Sequence, residues 1–360
     1  MKLVLLALVA GCLDAEPELA TTDQALNGET WTTVDTSDIQ SVGIAASPTT
    51  HTIMTVGLDN DTSKIKTRAS RDGGKTFATI HTFQTYGLPT AIAVDEIGYW
   101  FVAATDDDGA VRIYRSTNDG ASWSTVYSQA GDWYIRSLST DGSNVFAAGI
   151  EDSADGQAHA VILRGTNRGS YWAPIFAVAD ANEVTATCSG LYNGAPAIFA
   201  VGERVPSSGV AAETVWVSLN AGGAWTQTPL VDSSPDPVQQ PMRCATTQTG
   251  DLAIATRLDG QHEWDTKLWN VGQNRLLASD PITGNLLSPE AVTTTPSYVY
   301  FTGTLGTAWF TRRISLSDGT VATVDGFGPM GETFAASVFD SGHVYVVAAV
   351  GVGSIIRRRG

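Results

Sequence analysis

The sequence predicts an all-β fold built from repeated antiparallel sheets of four strands. The chain of 360 residues contains 36 glycines and only 16% charged residues, a composition typical of many turns. Short stretches alternate apolar and polar residues with a period of two, which is the period of a half-buried strand. A short motif also recurs four times at intervals of 46, 49 and 53 residues, which indicates a repeat architecture.

The N-terminus has the pattern of a secretory signal. Lys2 precedes the apolar run Leu3–Ala10, which is too short for a membrane span of about 20 residues. The pattern predicts a signal peptide over residues 1–11. The letters Leu-Val-Ala-Gly-Cys resemble a bacterial lipobox, which implies that Cys12 carries a lipid. The alternative is an ordinary secreted protein with an incidental cysteine. We expect residues 12–28 to form an acidic tether and residues 29–360 to form one domain.

The recurring motif reads S-x-D/N-x-G-x-S/T-aromatic. Its four copies are Ser70–Phe77, Ser116–Trp123, Gly165–Trp172 and Ser218–Trp225. An Asp or Asn at the third position can accept hydrogen bonds from the N–H groups of its own turn, and the glycine permits a positive φ. We therefore predict that each motif staples a hairpin. The third-position residues are Asp72, Asn118, Asn167 and Asn220.

This motif resembles the Asp box, the bacterial neuraminidase repeat. The resemblance covers the repeats and implies a β-propeller of the sialidase-like superfamily. It also implies that the boxes are structural and face away from any binding or active site.

The number of repeats predicts seven blades. Alternating strand pairs occur at residues 41–58, 90–104, 135–149, 184–202, 243–256, 291–304 and 334–350. Together with the boxed segments they give four strands per repeat, as in a propeller blade. The last repeat supplies only a third strand, Ser354–Arg358. We expect the strand around Trp31 to complete it, which closes the ring and removes both open edges.

The net charge of the chain limits the classes of partner that it is expected to bind. A formal net charge of −16 argues against nucleic acid, because no positive face is available to follow phosphates. Acidic residues gather in the loops between the second and third strands, most densely at Asp106, Asp107 and Asp108. They form either a calcium site, a docking surface for a cationic partner, or solubilising loop tips.

Aromatic and charged residues lie on the same face as these loops. The candidate ligand-binding residues are Trp133, Tyr134, Arg136, Glu183, Arg243 and Trp264. Flat rings beside hydrogen-bonding charges suit a sugar or a peptide. The alternative is that these residues pack the blades and form ordinary ion pairs.

The motifs favour binding over catalysis. The sequence contains neither G-x-S-x-G nor H-E-x-x-H. A sialidase needs three arginines, of which Arg136 and Arg243 would supply two. The expected function is a lipid-anchored binding or scaffold module of the bacterial cell envelope, periplasmic or surface-exposed, for a glycan or an extracytoplasmic protein. The alternatives are a sialidase-type glycoside hydrolase and an envelope assembly factor.

The chain also contains two cysteines in the predicted domain. Because an exported protein folds where disulfides form, Cys188 and Cys244 are either bonded or two buried thiols. Apart from calcium, the sequence suggests no cofactor.

Overall fold

The computed structural model describes most of the predicted domain. The described residues are 25–26, 28–131, 133–152, 158–176, 181–204, 212–229, 239–258, 263–283, 287–305, 308–327, 335–350 and 353–360. The predicted signal peptide and Cys12 lie outside them. No helix in this part of the chain is long and apolar enough to cross a membrane.

The described chain is all-β, apart from one helical turn, and its strands pair antiparallel. In chain order the elements are β1 (Ala25–Leu26), β2 (Glu29–Ser37), β3 (Ile39–Ala46), β4 (Ile53–Asp59), β5 (Lys64–Ser70), β6 (Ala78–Val94), β7 (Trp100–Asp106), β8 (Val111–Ser116), β9 (Ser124–Gln129), β10 (Trp133–Asp141), β11 (Asn144–Asp152), β12 (Ala158–Gly165), α1 (Thr166–Gly169), β13 (Tyr171–Phe176), β14 (Ala181–Tyr192), β15 (Ala195–Arg204), β16 (Ala212–Ser218), β17 (Thr226–Pro229), β18 (Gln239–Thr246), β19 (Leu252–Leu258), β20 (Glu263–Asn270), β21 (Arg275–Thr283), β22 (Leu287–Thr294), β23 (Tyr298–Leu305), β24 (Ala308–Ser315), β25 (Val321–Phe327), β26 (Ala335–Asp340), β27 (His343–Val350) and β28 (Gly353–Arg359).

These strands form six sheets. The first sheet holds β3 to β9, and four sheets of four strands follow: the second (β10–β13), the third (β14–β17), the fourth (β18–β21) and the fifth (β22–β25). The terminal sheet has the order β1-β2-β28-β27-β26. The predicted strand pairs all appear as antiparallel hairpins, since each consists of an alternating strand, a turn and a second strand.

The terminal sheet joins the two ends of the domain. β2 pairs with β28, with Trp31 opposite Arg359 and Ser37 opposite Ser354, so the predicted pairing is present. Trp31 is fully buried in a core cluster with Tyr300 and Trp309 of the fifth sheet. At the other edge, β26 packs against β3 of the first sheet.

The first sheet differs from the sequence expectation at one point. We expected an outer strand, a loop and then a new inner strand, but β6 runs without interruption through 17 residues. Its first part pairs with β5 as far as Tyr86, and its second part pairs with β7 from Gly87 onward. Because the backbone finds a partner on each side of this point, no loop is needed, and the first sheet comprises two halves of four strands each.

The box turns lie between the third and fourth strands, as predicted. Asp72 accepts hydrogen bonds from the N–H groups of Lys75 and Thr76, both at 3.0 Å, and from the hydroxyls of Ser70 and Thr76. These donors, with the Thr76 hydroxyl first, hold the pKa of the Asp72 carboxyl well below its usual value.

Two of the asparagines act in the same way. The side-chain oxygen of Asn118 accepts from the Ser122 N–H at 2.9 Å, and that of Asn220 accepts from the Ala224 N–H at 2.8 Å. The third box is different. Gly165 replaces the first serine, Asn167 itself has a left-handed φ of 49°, and the Ser170 N–H closes the turn on the Thr166 carbonyl. The third box therefore forms the same turn through main-chain hydrogen bonds, without the bonds that the third-position side chain accepts in the other boxes.

Each box turn also forms hydrogen bonds to the preceding strand set, by which we mean the group of four strands that comes before it in the fold. Its fourth and fifth residues both have positive φ. In every box the carbonyl of the fourth residue accepts a hydrogen bond from an arginine of the preceding four-stranded set or of its box turn: Arg358 to Gly73 at 3.2 Å, Arg71 to Asp119 at 3.0 Å, Arg115 to Arg168 at 2.8 Å and Arg164 to Ala221 at 2.6 Å. We call these contacts the arginine–box bonds.

The fifth residue is a glycine that rests on the preceding core. A Cβ atom at Gly74 would lie 2.2 Å from the Tyr345 ring, and one at Gly222 would lie 2.1 Å from Ile175. Contacts below 3.0 Å require something to move. The glycine is therefore needed for close approach between neighbouring strand sets as well as for its φ angle.

A second series of hydrogen bonds links the first strands of neighbouring strand sets. These first strands are β3, β6, β10, β14, β18 and β22, with β6 counted as the first strand of the second half of the first sheet. Each hydroxyl donates to a main-chain carbonyl of the preceding first strand: Thr140 to Val94 at 2.9 Å, Ser189 to Thr140 at 2.7 Å, Thr246 to Ser189 at 2.6 Å and Thr294 to Thr246 at 2.8 Å. These hydroxyl bonds run from the fifth sheet back to the first.

Ion pairs join the sheets between these two levels. The guanidinium of Arg357, fully buried on β28, binds Asp325 of the fifth sheet through two hydrogen bonds of 2.6 and 2.8 Å. Arg312 binds Asp280 of the fourth sheet, and Arg68 binds Asp35 on β2, in the same two-pronged manner. Paired geometry of this kind is the strongest that an arginine makes with a carboxylate.

We predict that Asn118→Ala lowers the free energy of unfolding by about 0.5–2 kcal/mol, because the turn loses the bonds that Asn118 makes to it. Chemical denaturation measures the change. Asn167→Gly is the matched control, since backbone bonds close that turn and glycine accepts its left-handed φ. Equal losses in the two variants would show that the side-chain staple is unimportant.

We predict that Trp31→Ala lowers the free energy of unfolding by about 3–5 kcal/mol, because it leaves a cavity beneath the terminal sheet. The exposed Thr36 on the same strand provides the control variant Thr36→Ala. If both variants unfold at the same denaturant concentration, β2 does not hold the two ends of the domain together.

Candidate functional site

The first strands of the sheets surround a cavity of about 170 Å³. Its lining comes from β3, β6, β10, β14, β18 and β22. A β-bulge interrupts the pairing of every one of these strands near its start. Bulges re-aim a side chain and are frequent beside binding and active sites. Two of the bulged residues, Arg136 and Glu290, are charged and line the cavity.

Arg136 forms the exposed part of this site. Its Nε atom donates to Glu183 on the next first strand at 2.7 Å. Its guanidinium lies over the ring of Tyr134, 4.7 Å from the centroid, and this ring is 40% exposed. The strand starts therefore bring together three of the predicted residues, Tyr134, Arg136 and Glu183.

Arg243 forms the deeper part. It lines the cavity beside Glu290, which is itself buried. Burial lowers the pKa of the Arg243 guanidinium, the negative charge of Glu290 opposes that shift, and the nearby Arg136 adds to it. The site thus contains two guanidinium groups and two carboxylates. We refer to Tyr134, Arg136, Glu183, Arg243 and Glu290 as the channel-mouth site.

Two predicted aromatic residues do not belong to this site. Trp264 is fully buried and stacks on Phe310 of the fifth sheet, with ring centroids 4.8 Å apart. Trp133 is partly buried against the core between the first and second sheets. Both pack the sheets, which was the alternative left open by the sequence.

Sequence reasoning missed Glu290. It follows a proline in a strand that reads as ordinary, and only the bulge between Pro289 and Ala291 turns it toward the cavity. The signal that could have found it is its position, since Arg136 occupies the corresponding bulge on β10.

The acidic loop residues are engaged by protein groups. Asp106 is buried, accepts the Tyr114 hydroxyl at 3.0 Å and pairs with Arg112. The same Arg112 binds Asp108 at 2.7 Å. Asp107 is exposed. A hydrogen bond from Lys66, then one from Thr62, lowers the pKa of the corresponding Asp59 to about 2.

The ion pairs of Arg112 involve two of the three aspartates of the expected calcium site. Arg112 already supplies the positive charge that a cation would bring to Asp106 and Asp108. Within the described ranges, no three histidine, cysteine, aspartate or glutamate side chains are grouped so as to hold a metal ion. Calcium binding stays a prediction, and it forms no part of the function proposed below.

A disulfide lies beside the cavity. Cys188 on β14 and Cys244 on β18 are bonded, with their Cα atoms 6.1 Å apart. Cys244 lines the cavity directly after Arg243 in the chain. The covalent link therefore fixes the first strand that carries Arg243 against its neighbour.

Comparison with known proteins shows the fold. No family model and no curated protein match the chain. A chain from the mitotic checkpoint complex is 11% identical, with a TM-score of 0.61, and the match covers 100% of this chain and 99% of that one. Sqt1 from Saccharomyces cerevisiae is also 11% identical, with a TM-score of 0.53, covering 93% of this chain and 99% of Sqt1.

These neighbours are β-propeller proteins. At such low identity the likeness shows the fold alone, because unrelated functions share this architecture. The protein therefore has an all-β fold of antiparallel, mostly four-stranded sheets of the β-propeller type.

Proposed function

We propose that this protein is an exported, lipid-anchored binding module whose channel-mouth site binds a glycan. The observation that carries the proposal is that a tyrosine ring, 40% exposed, and the hydrogen-bonded pair Arg136–Glu183 lie at a cavity that Arg136 lines together with Arg243 and Glu290. A sugar ring stacks on a flat aromatic face, and its hydroxyls both donate and accept hydrogen bonds.

The pairing of the charges favours a neutral ligand. Glu183 holds Arg136, and Glu290 faces Arg243, so the four charges balance. An ionic ligand would have to displace one partner and leave the other partly buried without compensation, which is costly. A hydroxyl can instead accept from a guanidinium and donate to a neighbouring carboxylate while Glu183 stays bound to Arg136 and Glu290 stays near Arg243.

The same pairing weakens the case for a sialidase-type hydrolase. Such an enzyme needs guanidinium groups directed at the ligand's carboxylate. The described lining of the cavity contains two arginines, and a glutamate faces each of them. An envelope assembly role remains the other candidate, as a scaffold that uses a different surface.

The proposal includes a closed ring of seven blades. Counting the two halves of the first sheet separately, with β6 shared between them, and adding the terminal sheet gives seven strand sets, of which six have four strands and the terminal one has the short β1 as a fifth. Two observations support closure: β2 completes the terminal sheet from the far end of the chain, and β26 packs against β3. A closed ring would give the cavity continuous walls and leave no exposed sheet edge at the chain ends.

The lipid anchor rests on the sequence of the first twelve residues. With a lipid on Cys12 and a tether that ends before β1, whose residues Ala25 and Leu26 pair with β2 rather than belonging to the tether expected up to residue 28, the domain would sit close to a membrane in the cell envelope. The disulfide fits an exported protein, since bonded cysteines persist in oxidising compartments.

We predict that the purified protein binds neutral glycans on a printed glycan array, and that Tyr134→Ala lowers the affinity at least tenfold, because stacking is lost. Isothermal titration with the strongest array hit measures the change. Tyr171→Ala is the control, since that tyrosine is 70% exposed on β13 away from the cavity.

Two results would count against the glycan site. One is an array without any bound neutral glycan. The other is a Tyr134→Ala variant that binds as tightly as the Tyr171→Ala control.

We predict that Cys12→Ser moves the protein from the membrane fraction to the soluble fraction of the cells that express it, because the lipid has no attachment point. Fractionation and mass spectrometry of the mature N-terminus measure this. A Cys12→Ser variant that fractionates with membranes like the wild type would exclude the anchor and leave the glycan site untouched.

A further inference from the structure

An exposed apolar strip lies on β6 where this strand passes between the halves of the first sheet. Tyr86 is 47% exposed and Leu88 is 56% exposed. They are two positions apart on a strand, so their side chains project from the same face. A partner that covered both side chains would remove their apolar surface from water, which is favourable.

Carboxylates border this strip. Gly87, between the two apolar residues, pairs with Asp106, and the Asp107 N–H donates to the Tyr86 carbonyl at 3.1 Å. Asp107 and Asp108 are both exposed. On the other side, exposed Asp61 lies in the loop that leads into Lys64, the residue paired with Tyr86.

The positive groups nearby leave an acidic excess. Arg112 binds Asp106 and Asp108, and Lys66 binds Asp59. The ammonium of Lys64 lies 5.8 Å from the centroid of the Tyr86 ring. Asp61 and Asp107 carry the remaining negative charge beside the strip, in a chain with a net charge of −16.

The strip is held rigidly. β6 is hydrogen-bonded to β5 up to Tyr86 and to β7 from Gly87. A Cβ atom at position 87 would lie 2.5 Å from the Thr105 carbonyl oxygen, so the glycine allows the strands to approach this closely. Because this backbone is already ordered, a partner does not have to order it on binding.

We infer that Tyr86 and Leu88, flanked by Asp61 and Asp107, form a docking surface for a basic polypeptide segment that alternates apolar and cationic side chains. Its apolar side chains pack on Tyr86 and Leu88, and its lysines or arginines face the carboxylates. Anionic lipid headgroups and acidic peptides are repelled by the same charges. This inference does not depend on the glycan site.

The test uses a fluorescently labelled peptide of alternating leucine and lysine, titrated against the full chain by fluorescence anisotropy. We expect binding that weakens as salt rises, because the flanking charges contribute. The combined variant Tyr86→Ser, Leu88→Ser should raise the Kd at least tenfold. Asp61→Asn with Asp107→Asn should raise it severalfold and reduce its salt dependence.

Matched variants separate docking from general attraction to an acidic protein. Tyr171→Ser and Ile97→Ser remove exposed apolar side chains elsewhere, and Asp318→Asn removes an exposed carboxylate elsewhere. All three should bind the peptide like the wild type. The single change Leu88→Lys, which keeps a long side chain and adds a repelling charge, should also abolish binding and serves if the double serine variant unfolds.

Three outcomes would overturn the inference. One is that a peptide of alternating leucine and glutamate binds as well as the lysine peptide. Another is that the strip variants bind the lysine peptide as tightly as the control variants do. The last is that the wild-type protein does not bind the lysine peptide at all.

Discussion

The structure depends on the contact between each box turn and the strand set before it. A propeller-type fold has no central helix, so its sheets are held together only where they touch their neighbours. At each box turn an arginine reaches the carbonyl of the fourth residue, and the following glycine rests on the preceding core. The hydroxyl bonds link the strands that line the cavity in the same way. Between these two levels the aromatic and branched side chains are packed.

Much of this fold could be predicted from local sequence signals. Period-two alternation and the spacing of the boxes gave the strand sets, and a missing strand at one end matched a spare strand at the other, around Trp31. The arginine–box bonds could not be predicted, because their donors occupy no constant offset from the box. Arg71 is the second residue of its own box, whereas Arg115 and Arg164 directly precede theirs, and the three donors lie 45, 50 and 54 residues before the first residue of the box that they bind. The uninterrupted β6 was also missed, since Gly87-Leu88-Pro89 reads as a turn in the sequence.

The candidate site was only partly predictable, for a related reason. Residues at the starts of first strands converge whenever the strands surround a common axis, which is why Tyr134, Arg136 and Glu183 meet. Burial and partner choice depend on the neighbouring sheet. Trp264 is a residue type on which ligands often stack, but it is fully buried and its ring stacks on Phe310 of the next sheet. Asp106 and Asp108 are residue types that bind metal ions, but Arg112, near the start of the next strand β8, binds both.

The backbone character of the arginine–box bond has a consequence for how such a chain can change over time. The acceptor is a carbonyl, so the side chain of the fourth residue is unconstrained by it, and the four boxes carry Gly73, Asp119, Arg168 and Ala221 there. The third box has lost its first serine and its side-chain staple and still receives Arg115. Repeats of this kind can therefore differ in sequence while the contact between neighbouring strand sets persists. The four box repeats of this chain are more alike in these backbone hydrogen bonds than in their sequences.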